Sequence, residues 1–352
     1  RCEMRHQAAA AGPSLALAGR IRRRGSLTAT ATVMAPLSLG ASVALGTAAT
    51  CAMVRAVAAV PTSANDRTAP SYEYSCVGNC SPVEPGEFRP HGGALLMGGS
   101  TDVDAAFEWL SRRADSGDIL VLRATGTDAY NEYIYNMGLC RSAATLVIRE
   151  PEAANDDFVV EKIQAAHAIF FAGGDQWNYI GRWWGSRLQA AVQDAIERSV
   201  PVGGTSAGEA IMTEHVFTAE HGGVTSAEAL ADPFDERVAL STEPFLRVPF
   251  LQGAVADQHF RERDRMGRSL TFMARISQQR AAAGLGNEAR AVCVDERTAL
   301  LLDTTTGFAS IVGTGTGGGF HAAYMIRNRS PPEVCRRGEP LTCAHGLYTF
   351  CY

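Results

Sequence analysis

The 352-residue chain has no basic excess: 32 Lys and Arg stand against 37 Asp and Glu, a formal net charge of −5. Phosphate binding needs a basic face, and none is evident, so nucleic acid is excluded as the main partner. Metal-ligand spacing is lacking too. Cys76 and Cys80 have no His or second Cys pair at a zinc spacing nearby, so no metal site is expected. The chain also lacks any internal repeat. Acidic residues are missing between Met4 and Asn65. Within that gap, Arg20-Ile-Arg-Arg-Arg24 precedes an uncharged run from Gly25 to Val54 and a small-residue pattern at Ala56-Val57-Ala58. Together these read as a targeting segment, a secretory signal by preference and an organellar transit peptide as the alternative. The run is rich in Gly, Ser and Thr, so a stable membrane anchor is not expected. The chain opens on Arg1, which puts its start upstream or at Met4.

What is present is ample material for one large α/β domain, with 46% hydrophobic residues. Residues 1–60 form the targeting segment, 61–90 a linker or extended cover, 91–330 the α/β domain and 331–352 a Cys-containing tail. Cys76, Cys80, Cys335, Cys343 and Cys351 all lie in the flanks. That clustering suggests disulfides tying down the tails, and with them an oxidising compartment. Two glycosylation sequons, at Asn79 and Asn328, fall in the same flanks.

Apolar runs predict strands at Gly93–Met97, Asp118–Leu122, Ala144–Ile148, Ala168–Phe171 and Arg198–Val202. Helical periodicity fills the intervals, including Asp102–Arg113, Tyr130–Met137, Asp157–Ala166 and Trp177–Arg198. Continuous apolar strands alternating with amphipathic helices mean a mostly parallel sheet covered by helices on both faces. The second half predicts a strand at Val248–Leu251 and a helix over Phe260–Ile276. Short strands at Ala289–Val294, Ala299–Leu302, Phe308–Val312 and Tyr324–Ile326 then suggest an antiparallel edge near the C-terminus. In such sheets ligands bind at the carboxyl ends of the strands. Gly98-Gly99, Gly173-Gly174 and Ser206 all fall there.

Gly204-Thr205-Ser206-Ala207-Gly208 fits Gly-x-Ser-x-Gly, the strand–turn–helix elbow that presents a serine nucleophile, with a helix expected from Glu209 to Glu214. A serine hydroxyl needs a base, and the base needs an orienting group. His215 and His221 are candidates, but His259 sits where a strand ends and is preferred. Asp257, Asp295 and Glu296 are open as the third member. Ala207 N–H, with Gly174 and Asp175 in the Gly173-Gly174-Asp175 turn, would supply the oxyanion hole. Gly313-Thr-Gly-Thr-Gly-Gly318 matches a dinucleotide fingerprint only formally, because no helix follows it.

Phe171-Ala-Gly-Gly-Asp-Gln176, Gly203-Gly-Thr-Ser-Ala-Gly208, Asp257-Gln-His-Phe260 with Arg263, Arg265 and Arg268, and Val294-Asp-Glu-Arg-Thr-Ala-Leu300 occur in that order. Together they resemble cyanophycinase and its peptidase-E-like serine peptidase relatives. The resemblance spans about Gly92 to Tyr324. It implies a class I glutamine-amidotransferase-like fold, Ser206 as nucleophile, His259 as base and Glu296 as orienting acid. Gln176, Asp257, Gln258, Arg263, Arg265 and Arg268 would line the pocket of a peptide or small substrate with an aspartyl linkage. It implies no metal or cofactor, release of β-Asp-Arg dipeptides or cleavage of Asp-X bonds, and a homodimer. Glu209 departs from the pattern, since small or apolar residues are usual after the elbow. A serine esterase, or a secreted binding protein on the same scaffold, are the competing readings.

Overall fold

In a computed structural model, residues 71–84, 86–314 and 322–343 are described, together with the backbone of 347–351. The targeting segment, His321, His345 and most of the Gly-rich loop after Gly313 lie outside the described residues.

Eight strands make the principal sheet. Its parallel centre consists of β2 (Gly93–Met97), β3 (Asp118–Arg123), β4 (Ser142–Ile148), β5 (Ala168–Phe171) and β6 (Val202–Thr205). They lie in the order β4-β3-β5-β6-β2. Both edges are antiparallel. On one side β1 (Tyr72–Gly78) pairs with β4; on the other, β9 (Thr298–Asp303) pairs with β2 and β10 (Ala309–Gly313) with β9. The stretch expected as linker or cover therefore contributes an edge strand, whose Cys76 is disulfide-bonded to Cys80.

The centre reads as unbroken apolar runs because both of its faces are covered. Leu95, Met97, Val121 and Phe170 point to one hydrophobic cluster; Leu96, Leu122, Ile169 and Phe171 point to the other. This alternation follows from the two-residue period of a strand. The helices between the strands are α1 (Asp104–Arg113), α2 (Tyr130–Asn136), α3 (Asp157–Ala165), α4 (Gln176–Trp183) and α5 (Arg187–Glu197). The periodicity across Trp177–Arg198 is thus divided in two. Gly185 takes φ 72°, and the Ser186 hydroxyl caps the new helix by accepting from Gln189 N–H.

Four further strands form a second sheet, which the sequence reading did not anticipate. It runs β12-β11-β8-β7, with β7 (Ala254–Gln258), β8 (Arg290–Val294), β11 (Ala323–Asn328) and β12 (Leu347–Cys351). The strand predicted at Val248–Leu251 is a turn instead. Pro249 brings no N–H to a ladder, and Phe250 takes φ 69°. The short helices α6 (Ala207–Ala210) and α7 (Ser226–Ala231) follow the elbow, and α8 (Met266–Ala282) starts later than the periodicity implied. Residues 261–264 form turns, ending at Asp264 with φ 48°. No helix among the described residues is long and apolar enough to cross a membrane.

The tail beyond β11 is docked, not pendant. Cys335 and Leu341 pack against Ala274 of α8, and the Cys335 thiol is reduced, so the disulfide expected to tie it down is not formed. Asn328 donates its side-chain amide to Ser277, Asn287 and Ser330 oxygens. Asn79 remains exposed.

Candidate active site

The principal sheet presents the carboxyl ends of β2, β5 and β6 side by side. Strand β6 carries the small residues Gly203, Gly204 and Thr205, then breaks at Ser206, which has φ 52° and ψ −117°. That backbone is costly for a residue with a Cβ and persists only where neighbours enforce it. Here Ser206 N–H donates to Met97 O at 2.9 Å, tying the elbow to the end of β2. The following turn packs so tightly that a Cβ on Gly208 would meet Phe171 O at 2.1 Å. The expected helix is consequently one turn long.

His259 arrives from the other sheet. It follows the last residue of β7, takes φ 48°, and donates its N–H to Gly98 O at 2.8 Å. Gly99 must be glycine: it has φ 96°, and a Cβ there would lie 2.4 Å from the His259 ring and 3.1 Å from Ser206 Cβ. Glu296 sits on the short connection between β8 and β9. Those strands look like a hairpin in sequence yet belong to different sheets, so Glu296 is delivered to the seam between them. Arg297, at φ 54°, makes the bend, and its N–H donates to Gly99 O at 3.0 Å.

The three side chains form one line. Ser206 Oγ is 2.8 Å from His259 Nε2, and His259 Nδ1 is 2.7 Å from Glu296 Oε1. Among the acids left open by sequence, Glu296 alone reaches the ring. Asp295 is fully buried, accepts from Arg261 N–H and lies beside the Tyr324 hydroxyl. His215 is half-buried elsewhere, bridged to Val255, and His221 is exposed. A helper not foreseen is Glu262, whose Oε2 accepts from Glu296 N–H at 3.1 Å and fixes the connection. Its position in the charged Arg261–Arg265 run offered no signal of that role.

Burial holds the His259 imidazole below its ordinary value of 6.5, opposed by the Glu296 hydrogen bond and reinforced by Arg263 and Arg265. A base must be neutral to accept a proton. The acid limb of kcat/KM is therefore expected to rise through a pKa below 6.5, checked by a pH–rate profile.

Gly173 abuts the serine, since a Cβ on it would lie 3.6 Å from Ser206 Cβ. The Asp175 carboxylate caps α4 by accepting from Trp177 N–H at 2.9 Å, which fixes the turn. None of the described hydrogen bonds engages the amides of Gly174, Asp175 or Ala207, leaving them available to an oxyanion.

The expected pocket residues divide. Arg263 is exposed, and Arg265 is 12% exposed with Nη1 donating to Gln258 O at 2.7 Å. Gln176 is buried and donates to Phe217 O; Gln258 is likewise buried. Asp257 and Arg268 do not line a pocket as expected. Arg268 Nη2 and Nε bind the two Asp257 oxygens at 2.5 and 3.0 Å, and Ser269 Oγ adds a third donor. Arg268 also stacks over Phe217. Both side chains are about as buried as the core, at 5% and 1% exposure, so this is an internal brace beneath β7. Arg268→Ala would strand a buried carboxylate and is expected to cost about 3–5 kcal/mol of stability, read by urea denaturation.

The family model for peptidase family S51 matches residues 123–302, just over half of the chain. The chain belongs to peptidase family S51. Its S51 segment holds Ser206, His259 and Glu296 together. Similar curated proteins include a cyanophycinase of Geminocystis herdmanii, 26% identical over 190 residues, covering 54% of this chain and 61% of that one. Cyanophycinases of a Nostoc species and of Trichormus variabilis are each 27% identical over 168 residues, covering 47% of this chain and 52% of theirs. The chain thus spans 52–61% of the length of these relatives. Solved structures with some likeness include a peptidase from an acI-B1 actinobacterium, with TM-score 0.44 and 15% identity, covering 75% of this chain and 98% of that one. A putative peptidase E of Listeria monocytogenes gives TM-score 0.42 and 12% identity, covering 63% and 98%.

Proposed function

We propose that the chain is a serine exopeptidase hydrolysing β-aspartyl or Asp-X peptide bonds through an acyl-enzyme. The observation that carries this reading is the Ser206–His259–Glu296 line, with its 2.8 and 2.7 Å contacts. In the proposed reaction Ser206 Oγ attacks the scissile carbonyl while its proton passes to His259 Nε2. Glu296 holds Nδ1–H and stabilises the imidazolium. The carbonyl oxygen, now negative, is met by the amides of Ala207 and of the Gly174–Asp175 turn. His259 then gives its proton to the leaving amine, and water attacks the acyl-enzyme by the same route in reverse.

An aspartyl substrate is supported by two guanidiniums near the site that have no bidentate carboxylate of their own. Arg263 and Arg265 both act on the His259 ring electrostatically, and a guanidinium fork suits a substrate carboxylate. The cyanophycinase names among the relatives agree with that preference. Passage through an oxidising compartment is part of the same proposal, supported by the Cys76–Cys80 disulfide. So is assembly as a homodimer, supported by family resemblance alone.

The test is turnover of β-Asp-Arg, cyanophycin, a panel of Asp-X dipeptides and short acyl esters by purified protein. Release of aspartyl products is expected. Brisk ester turnover with none of any aspartyl substrate would replace this reading with that of an esterase.

A further inference from the structure

Glu209, three residues beyond Ser206, is fully buried, and neither carboxyl oxygen has a hydrogen-bond partner. A buried polar group without a partner is expensive and calls for an explanation. Its position in the first turn of α6 does not supply one, because its oxygens cap no amide.

The surroundings narrow the choice. Strands β2, β5 and β6, which pack on α6, bring no ionisable side chain. On α4, Tyr179 donates to Ala172 O and Arg182 to Ala124 O, so both are engaged. Strand β7 brings Asp257, and around it lie Arg265, Arg268 and the buried Cys293 thiol. This cluster holds two carboxyls and two guanidiniums, and Asp257 pairs with both guanidiniums while Glu209 pairs with neither. Arg268 and Ser269 occupy Asp257, leaving Arg265 no nearer than 3.5 Å to an Asp257 oxygen. Arg265 lies within electrostatic reach of both Glu209 and His259.

We propose that Glu209 is a positioning residue for substrate recognition, its carboxyl competing with the substrate's carboxylate for Arg265. The idea rests on the aspartyl-peptidase reading above. Burial, with Asp257 adding to it, pushes the Glu209 carboxyl well above the usual range, and Arg265 opposes this. In its neutral form Glu209 leaves Arg265 to the substrate. Once ionised it draws Arg265 into an internal ion pair, and the grip on substrate weakens. Arg265 stays cationic throughout, since burial and then Arg268 bring it down only to about 10.

The experiment compares KM for β-Asp-Arg in wild type, Glu209→Gln and Glu209→Ala from mildly acidic to mildly alkaline pH. Wild-type KM is expected to rise about fivefold or more across that range, with KM flat in both variants and kcat little changed. Should Glu209→Gln fail to fold, Glu209→Ala carries the same expectation, since a small residue suits the position. Calorimetric binding of β-Asp-Arg to Ser206→Ala, with and without Glu209→Gln, separates the two claims. Binding with a pH dependence that Glu209→Gln abolishes, but no turnover by wild type, sinks the peptidase reading and leaves this inference standing. Turnover with the same KM–pH profile in wild type and both variants overturns the inference alone. So does failure of any form to bind the dipeptide.

Discussion

Ser206→Ala is expected to lower kcat by about 10⁴–10⁶ while leaving substrate binding and thermal unfolding close to wild type. The size follows from the geometry. Ser206 Oγ is the one nucleophilic oxygen in line with His259 Nε2, and the amides around it have no other anion to serve. What remains without the hydroxyl is orientation and oxyanion stabilisation alone. Stability should hold because alanine faces the same backbone restrictions as serine. The φ of 52° is imposed by the tie to Met97 O and the packing of Gly208 on Phe171, and not by the hydroxyl. Single-turnover kinetics with β-Asp-Arg and a melting curve measure both halves of this statement. A variant with a tenth of wild-type activity would mean that another group attacks the bond.

Glu296→Gln should cost about 10³–10⁴ in kcat with little change in KM. Glutamine fills the same space, so the bend at Arg297 and the contact with Glu262 have no reason to move. Its amide, however, can present N–H to His259 Nδ1. The ring is then stabilised in the tautomer that carries its proton on Nε2, the nitrogen that must accept from Ser206. The imidazolium formed during the reaction also loses a partner 2.7 Å away. A melting curve close to wild type separates this from misfolding, and the loss should persist at every pH, because removing the Glu296 hydrogen bond lowers the His259 pKa further and leaves the ring neutral.

Much of this site was legible in the chain. The elbow could be read because its glycines are demanded by close approach, and close approach leaves a local pattern. The parallel strands could be read because burial on both faces leaves unbroken apolar runs such as Ala168–Phe171. His259 and Glu296 were placed by resemblance and by their positions at strand ends. The second sheet was not legible. The β8–β9 connection has the length of a hairpin, and the fact that its two strands part company depends on distant partners, β7 and β11 on one side and β2 on the other. Asp257 and Arg268 were misassigned to the pocket for a related reason. Charged residues eleven positions apart on a strand and the following helix give no sign of whether they face a ligand or each other, and here the helix returns over the strand. Glu209 stood out as a departure in residue type, but its burial and lack of partners come only from the way α6 is pressed against β7.

The central claim is that Ser206 is acylated during turnover. Intact-protein and peptide mass spectrometry after reaction with a serine-directed fluorophosphonate tests it most directly. One adduct is predicted, on the peptide containing Ser206, with activity lost in proportion, and neither Ser206→Ala nor His259→Ala should be labelled at a comparable rate. Complete loss of activity with the adduct on another residue, or full activity with Ser206 quantitatively modified, would contradict the account.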